Sequence, residues 1–170
     1  MKSFLSDTIR ESVFLISVGQ PDIAFETVLP DEPLMGRFDA RLLGQAISNV
    51  IKNATEAIAA WPAEPGFKGA ISVIARTEGS TIVLDVVDNG VGLPRENRQR
   101  LLEPYVTTRE KGTGLGLAIV TKIIEEHGGR VELLDAPAVA DGGHGAMIHI
   151  TLPSVEKPAV AATDAVVAES

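Results

Sequence analysis

The sequence predicts a two-layer α/β sandwich, an α+β arrangement in which a mixed, mostly antiparallel sheet packs on three helices. Three observations carry that prediction. The apolar residues change period along the chain in the order helix, two strands, helix, hairpin, a long aperiodic stretch, helix, two strands. Strands and helices therefore do not alternate one for one, as they do in a doubly wound parallel sheet. A chain of 170 residues with 45% hydrophobic content fills one core and is short for two.

From Ser3 to Ser17, the residues Leu5, Ile9, Val13 and Ile16 recur at helical spacing, and Gly19 followed by Pro21 ends the run. Ile23, Phe25, Thr27 and Leu29 alternate with Ala24, Glu26 and Val28 as a half-buried strand does, and the turn from Pro30 to Pro33 leads to a short strand at Leu34 to Phe38. Asp39 is placed to cap a helix whose buried stripe is Leu43, Ile47, Val50, Ala54 and Ile58 and which ends at Trp61-Pro62. The β-rich runs Ala70 to Thr77 and Thr81 to Asp88 flank Glu78-Gly79-Ser80 and predict an antiparallel hairpin. Over about 93 to 111 the chain is polar and proline-marked, with at most a helical turn or two around Glu96 to Leu102, and such a stretch predicts a mobile lid. The helix from Leu115 to His127 presents Ile119, Val120, Ile123 and Ile124 and stops at Gly128-Gly129. Strands at Arg130 to Asp135 and Ala146 to Leu152 complete the sheet. One domain over 1–153 results, and 154–170, built of Ala, Val, Glu and Pro with no period, reads as a loose tail.

A net charge of −8 and a pI near 4.9 argue against a surface that wraps nucleic acid or an anionic membrane, because binding on that scale needs a basic face. Any phosphate chemistry must be local. The absence of cysteine excludes a disulfide framework, a thiolate metal site and a cysteine nucleophile. No apolar run approaches the roughly 20 residues of a membrane span, and Met1 to Gly19 is amphipathic rather than a signal peptide, so the expected location is the cytoplasm.

Three segments carry candidate chemistry. Gly112-Thr113-Gly114-Leu115-Gly116-Leu117 opens a helix, where backbone amides without intrahelical partners meet the positive end of the dipole and can hold an anion. Plain helix punctuation is the competing explanation, and neither a Walker loop nor a strand-borne dinucleotide fingerprint is present. Asp88-Asn89-Gly90-Val91-Gly92 ends a strand with a carboxylate able to accept from an amino group such as that of adenine; an ordinary Asp/Asn/Gly turn is the alternative. Asn49 and Asn53, four apart, share one face of the second helix. A partly buried amide without partners costs on the order of 1 to 3 kcal/mol, which favours a ligand, water or metal there over a surface position.

The order NxxxNA on a helix, DxGxG after a strand and GxGxG before a helix resembles the N, G1 and G2 boxes of the GHKL superfamily, which includes sensor histidine kinases, gyrase-type topoisomerases, MutL and heat-shock chaperones. Leu102-Glu103-Pro104-Tyr105-Val106-Thr107-Thr108-Arg109 is similar to the F box of the histidine kinases, with Tyr105 where Phe is common. The resemblance covers roughly Met1 to Pro153 and implies the Bergerat ATP-binding sandwich of a histidine kinase catalytic domain. By that pattern Asp88 bonds adenine, Gly90 and Gly92 shape the pocket, Asn53 ligates the magnesium that bridges the phosphates, and Asn49 stands beside it. Gly112, Thr113, Gly114, Leu115 and Gly116 then lie along the phosphates, with Tyr105, Thr107, Thr108, Arg109 and Lys111 in the lid. In hydrolysing relatives the position of Asn49 is a glutamate that activates water, and an amide cannot take that proton. Glu56, Thr107-Thr108-Arg109 and Gly145-Ala146 look similar to the nitrogen-regulation branch, NtrB and NtrY, although Glu56 stands where many relatives carry a basic residue and Ala146 where a threonine is frequent.

The resemblance also implies partners: a dimerisation domain of the same full-length kinase bearing the phosphoacceptor histidine, and a response regulator downstream. No histidine precedes the N box, and His127, His144 and His149 fit structural positions better than a phosphoacceptor. The expectation is ATP and Mg2+ binding without autophosphorylation. Rival expectations are an ATP-dependent switch or hydrolase, an anti-sigma-type serine kinase, and a degenerate interaction domain.

Overall fold

Local signals in the sequence set the elements, and long-range pairings order the strands within the sheets. The computed structural model describes residues 2–62, 64–94, 96, 98–102 and 116–154. Strand β1 (Lys2–Phe4) is followed by helix α1 (Leu5–Val18), strands β2 (Ile23–Val28) and β3 (Met35–Arg37), helix α2 (Ala40–Ala60), strands β4 (Gly69–Glu78) and β5 (Thr81–Asp88), helix α3 (Gly116–Glu126), and strands β6 (Arg130–Asp135) and β7 (Ala146–Pro153). Short 3-10 turns occupy Arg98–Leu102 and Pro137–Asp141.

The main sheet has the order β2-β4-β5-β7-β6, with β2 and β4 parallel and the other neighbours antiparallel. Period-two alternation turns Ile71, Val73 and Ala75 of β4, Ile82, Leu84 and Val86 of β5 and Ile148, Ile150 and Leu152 of β7 into the core. Against them lie Leu43, Ile47, Val50, Ala54 and Ile58 of α2, the predicted stripe, all buried. Asp39 caps α2, its Oδ1 accepting from the Arg41 and Leu42 amides at 3.0 and 3.1 Å. Val120, Ile123 and Ile124 of α3 complete the layer, with Ile119 partly buried at its edge.

Two features depart from expectation. The segment Lys2–Phe4, of which Ser3 and Phe4 are expected to belong to the first helix, pairs instead with Met35–Arg37 as a separate two-stranded sheet, and the Leu5 amide donates to the Leu34 carbonyl at 2.9 Å. A helical period over residues 3–17 cannot reveal a partner so far along the chain. The link between β6 and β7 contains an unexpected 3-10 turn, opened by Pro137 and closed by Gly142. The lid expected over 93–111 is described at 93–94, at 96 and through the 3-10 turn, and the remainder lies outside the described residues, as does 155–170 of the expected tail. Among the described residues no helix is long and apolar enough to cross a membrane.

Candidate nucleotide site

Strand β5 ends on Asp88, which is 6% exposed. Its Oδ1 accepts from the Gly90 amide at 2.8 Å, closing the turn on itself. Asn89 fastens that turn to the start of β4: its Oδ1 accepts from the Ala70 amide at 2.8 Å and its Nδ2 donates to the Lys68 carbonyl at 2.9 Å. The Val91 amide donates to the Ala57 carbonyl of α2 at 3.1 Å. Gly90 consequently lies flat on α2, where a Cβ would come within 2.6 Å of the Ile58 amide nitrogen. Gly145, at φ +129°, brings the loop before β7 so close that a Cβ there would collide with the Asp88 carbonyl.

Helix α2 supplies the second wall. Asn53 is half-buried, and its Nδ2 is buried with no hydrogen-bond partner among the described residues. The carboxamide faces the start of α3, where a Cβ on Gly116 would lie 3.8 Å from both its oxygen and its nitrogen. Asn49, also half-buried, is one turn earlier on α2. Asn53 and Ala57 are four residues apart and share a helix face, so the contact of Asn53 with Gly116 and that of Ala57 with Gly90 are neighbours.

The structure therefore brings Asn53 and Gly116 together, and places Asp88, Gly90 and Gly92 in one braced turn against the same helix. Tyr105, Thr107, Thr108, Arg109, Lys111, Gly112, Thr113, Gly114 and Leu115 lie outside the described residues. Sequence reasoning missed the role of Asn89 and the aromatic group beside the turn: His144 is stacked on Trp61, with ring centroids 3.5 Å apart, and its Nδ1 bonds the Gly90 carbonyl at 2.9 Å. No local pattern announces a contact across 54 residues. The other histidines are also engaged. His127 Nε2 accepts from the Asp39 amide at 3.1 Å, and His149 Nδ1 meets Asp85 Oδ1 at 2.5 Å.

Known proteins resemble this chain in sequence and in fold. The nitrogen regulation protein NtrY of Azorhizobium caulinodans is 54% identical over 162 residues, which make up 95% of this chain and 20% of NtrY. The chain thus spans about a fifth of that protein's length. The mycobacterial sensor histidine kinase MprB superposes with a TM-score of 0.79 at 28% identity, over 92% of this chain and 100% of that one. The nucleotide-free catalytic domain of the histidine kinase ThkA gives 0.75 at 27% identity, over 92% and 98% of the two chains. Residues 38–156 match the model of the histidine kinase-, DNA gyrase B- and HSP90-like ATPases. That match covers more than half of the chain, and the mixed, mostly antiparallel sheet on three helices fits it, so this chain belongs to that family.

Proposed function

We propose that this chain is the ATP-binding catalytic domain of a two-component sensor histidine kinase, which passes the γ-phosphoryl group of ATP to a histidine on a separate dimerisation domain of the same full-length protein, with a response regulator downstream. The observation that carries this reading is the shared wall: one face of α2 touches the G2 helix start through Asn53 and the G1 turn through Ala57.

Each residue then has a task set by its chemistry. Asp88 accepts the exocyclic amine of adenine, as a carboxylate with about four lone-pair sites can, while its Oδ1 also closes the turn through the Gly90 amide. Gly90 and Gly92 keep the turn flat enough for a base to lie beside it. The amides of Gly112, Thr113, Gly114, Leu115 and Gly116 bind the phosphates, and in the lid Arg109 and Lys111 neutralise phosphate charge, with the hydroxyls of Thr107 and Thr108 and the ring of Tyr105 as further nucleotide contacts.

Magnesium suits Asn53. The buried end of its carboxamide lacks a partner among the described residues, and oxygen and nitrogen exchange ends by a simple flip. Among the described residues no group of three or more His, Asp or Glu gathers to hold a metal alone. That fits an ion that leans on phosphate oxygens and water and takes few protein ligands. When bound, it offsets charge on the transferring phosphoryl group. Asn49 carries an amide where water activation would need a base, which favours transfer over hydrolysis.

The test is a calorimetric titration with ATP and Mg2+, followed by incubation with γ-labelled ATP in the presence and absence of a separately supplied histidine domain. Binding is expected, with label only on the added histidine. Label on this chain alone, steady ATP turnover without the added domain, or labelled serine on the partner would overturn the assignment.

A further inference from the structure

We infer that His144 is a positioning residue for the nucleotide turn: its ring fixes the Gly90 carbonyl, and through Gly90 the carboxylate of Asp88. The inference rests on Asp88 being the adenine ligand, as proposed above.

Gly90 is held at both ends of its own backbone. Its amide donates to Asp88 Oδ1 at 2.8 Å, and its carbonyl meets His144 Nδ1 at 2.9 Å. A carbonyl only accepts, so Nδ1 must carry the proton. Whatever holds the imidazole in place therefore holds Gly90, and Gly90 holds the carboxylate.

The imidazole is itself braced. It lies parallel to the Trp61 indole, at 3.5 Å between centroids and 11° between planes, with Phe67 5.9 Å from the imidazole and 6.2 Å from the indole. Trp61 is tethered by its Nε1, which donates to Glu64 at 2.9 Å. The loop that carries His144 is tied down on each side. The Gly142 and Gly143 amides donate to Val139 and Ala138, at 3.1 and 2.9 Å, and the Ala136 amide donates to the Gly145 carbonyl at 3.2 Å. Left-handed backbone at Gly142 and Gly145 aims the side chain back at the turn. Three separate segments, the end of α2, the loop before β4 and the loop before β7, thus converge behind a single carbonyl.

The first test needs no substitution. Nitrogen-15 NMR of the histidine rings in the wild-type chain is expected to show neutral His144 as the Nδ1–H tautomer, with its signal moving when ATP and Mg2+ are added. Neutral His144 found as the Nε2–H tautomer overturns the inference. The second test compares ATP affinity by calorimetry. His144→Phe keeps a ring on Trp61 without a donor and is expected to bind ATP about three- to tenfold more weakly. His144→Asn places an amide donor near the Nδ1 position and is expected to return to within about twofold of wild type. Wild-type affinity in the Phe variant, or no recovery with Asn, overturns the inference. Should the Phe variant fail to fold, the tautomer decides alone. Absence of ATP binding by the wild-type chain would instead overturn the nucleotide assignment itself.

Discussion

Gly90 has no room for a side chain, because a Cβ would press on α2 backbone at Ala57 and Ile58, atoms that cannot swing aside. Gly90→Ala is expected to displace the turn, lowering stability by about 1–3 kcal/mol as overpacking does. Denaturant unfolding reads that loss, and an unchanged midpoint would mean that the turn does not sit on the helix. Asp88 separates fold from binding. Asp88→Asn keeps an oxygen that can accept from the Gly90 amide, but removes the charge that strengthens a bond to an amine. Near wild-type stability is expected, with ATP affinity reduced about 10- to 100-fold, the worth of a hydrogen bond to a charged group. Asp88→Ala adds the loss of the turn closure and should lower stability as well. Undiminished calorimetric affinity in both variants would remove the adenine assignment.

Helix α2 supplies the wall of the candidate site, and its start is tied by two devices: the Asp39 side-chain cap and the bond from the Asp39 amide to His127 at the end of α3. Asp39→Ala keeps the amide and removes the cap, so it is expected to cost about 1 kcal/mol, read as a fall of a few degrees in Tm. Fraying should stay within the first turn, far from Asn53, and ATP affinity should hold within about twofold; a larger loss would show that the wall depends on its cap. Elements of this local kind were legible in the sequence. The α2 stripe, the capping Asp39 and the β4–β5 hairpin all arise from neighbours along the chain, whose period and turn chemistry record them. Strand β1 was not legible, because its partner β3 is distant and its residues fit a helical period equally well. Asn53, Asp88 and Gly116 could be named from the order of their boxes, yet nothing in that order shows that Asn53 faces Gly116 while Ala57 supports Gly90. The His144–Trp61 stack left no trace at all, since only the folded loops bring those rings together.

Across the whole molecule, the sheet separates two groups of charged residues. Residues 82, 84 and 86 of β5 enter the core, so Asp85 points to the face turned away from the helices, about 10 Å along the strand from Asp88. There Asp85, 6% exposed, accepts from Arg76 Nη1 at 3.2 Å and meets His149 Nδ1 at 2.5 Å, while Arg76 also bonds Glu78 at 2.6 Å. The Arg76 pKa is pushed up, first by the hydrogen bond to Glu78 and then by Asp85, against the burial that opposes charging. A raised cation pKa contributes stability that is fully present below its unfolded value, so Arg76 adds no pH dependence in the neutral range. Asp85→Ala strands the partners of a buried carboxylate and is expected to lower stability by about 1–3 kcal/mol. Groups about 10 Å apart on opposite faces of a sheet contribute independently, so the gain from ligand should survive. ATP and Mg2+ at a hundred times the dissociation constant stabilise any binding-competent fold by about 2.7 kcal/mol, and the same upward step in stability is expected in wild type and in Asp85→Ala, from different baselines. Thermal unfolding with and without ATP measures both numbers at once. A step that shrinks in the Asp85 variant would mean that the two faces of the sheet are coupled, and that the outer network holds the nucleotide turn as well as the strands.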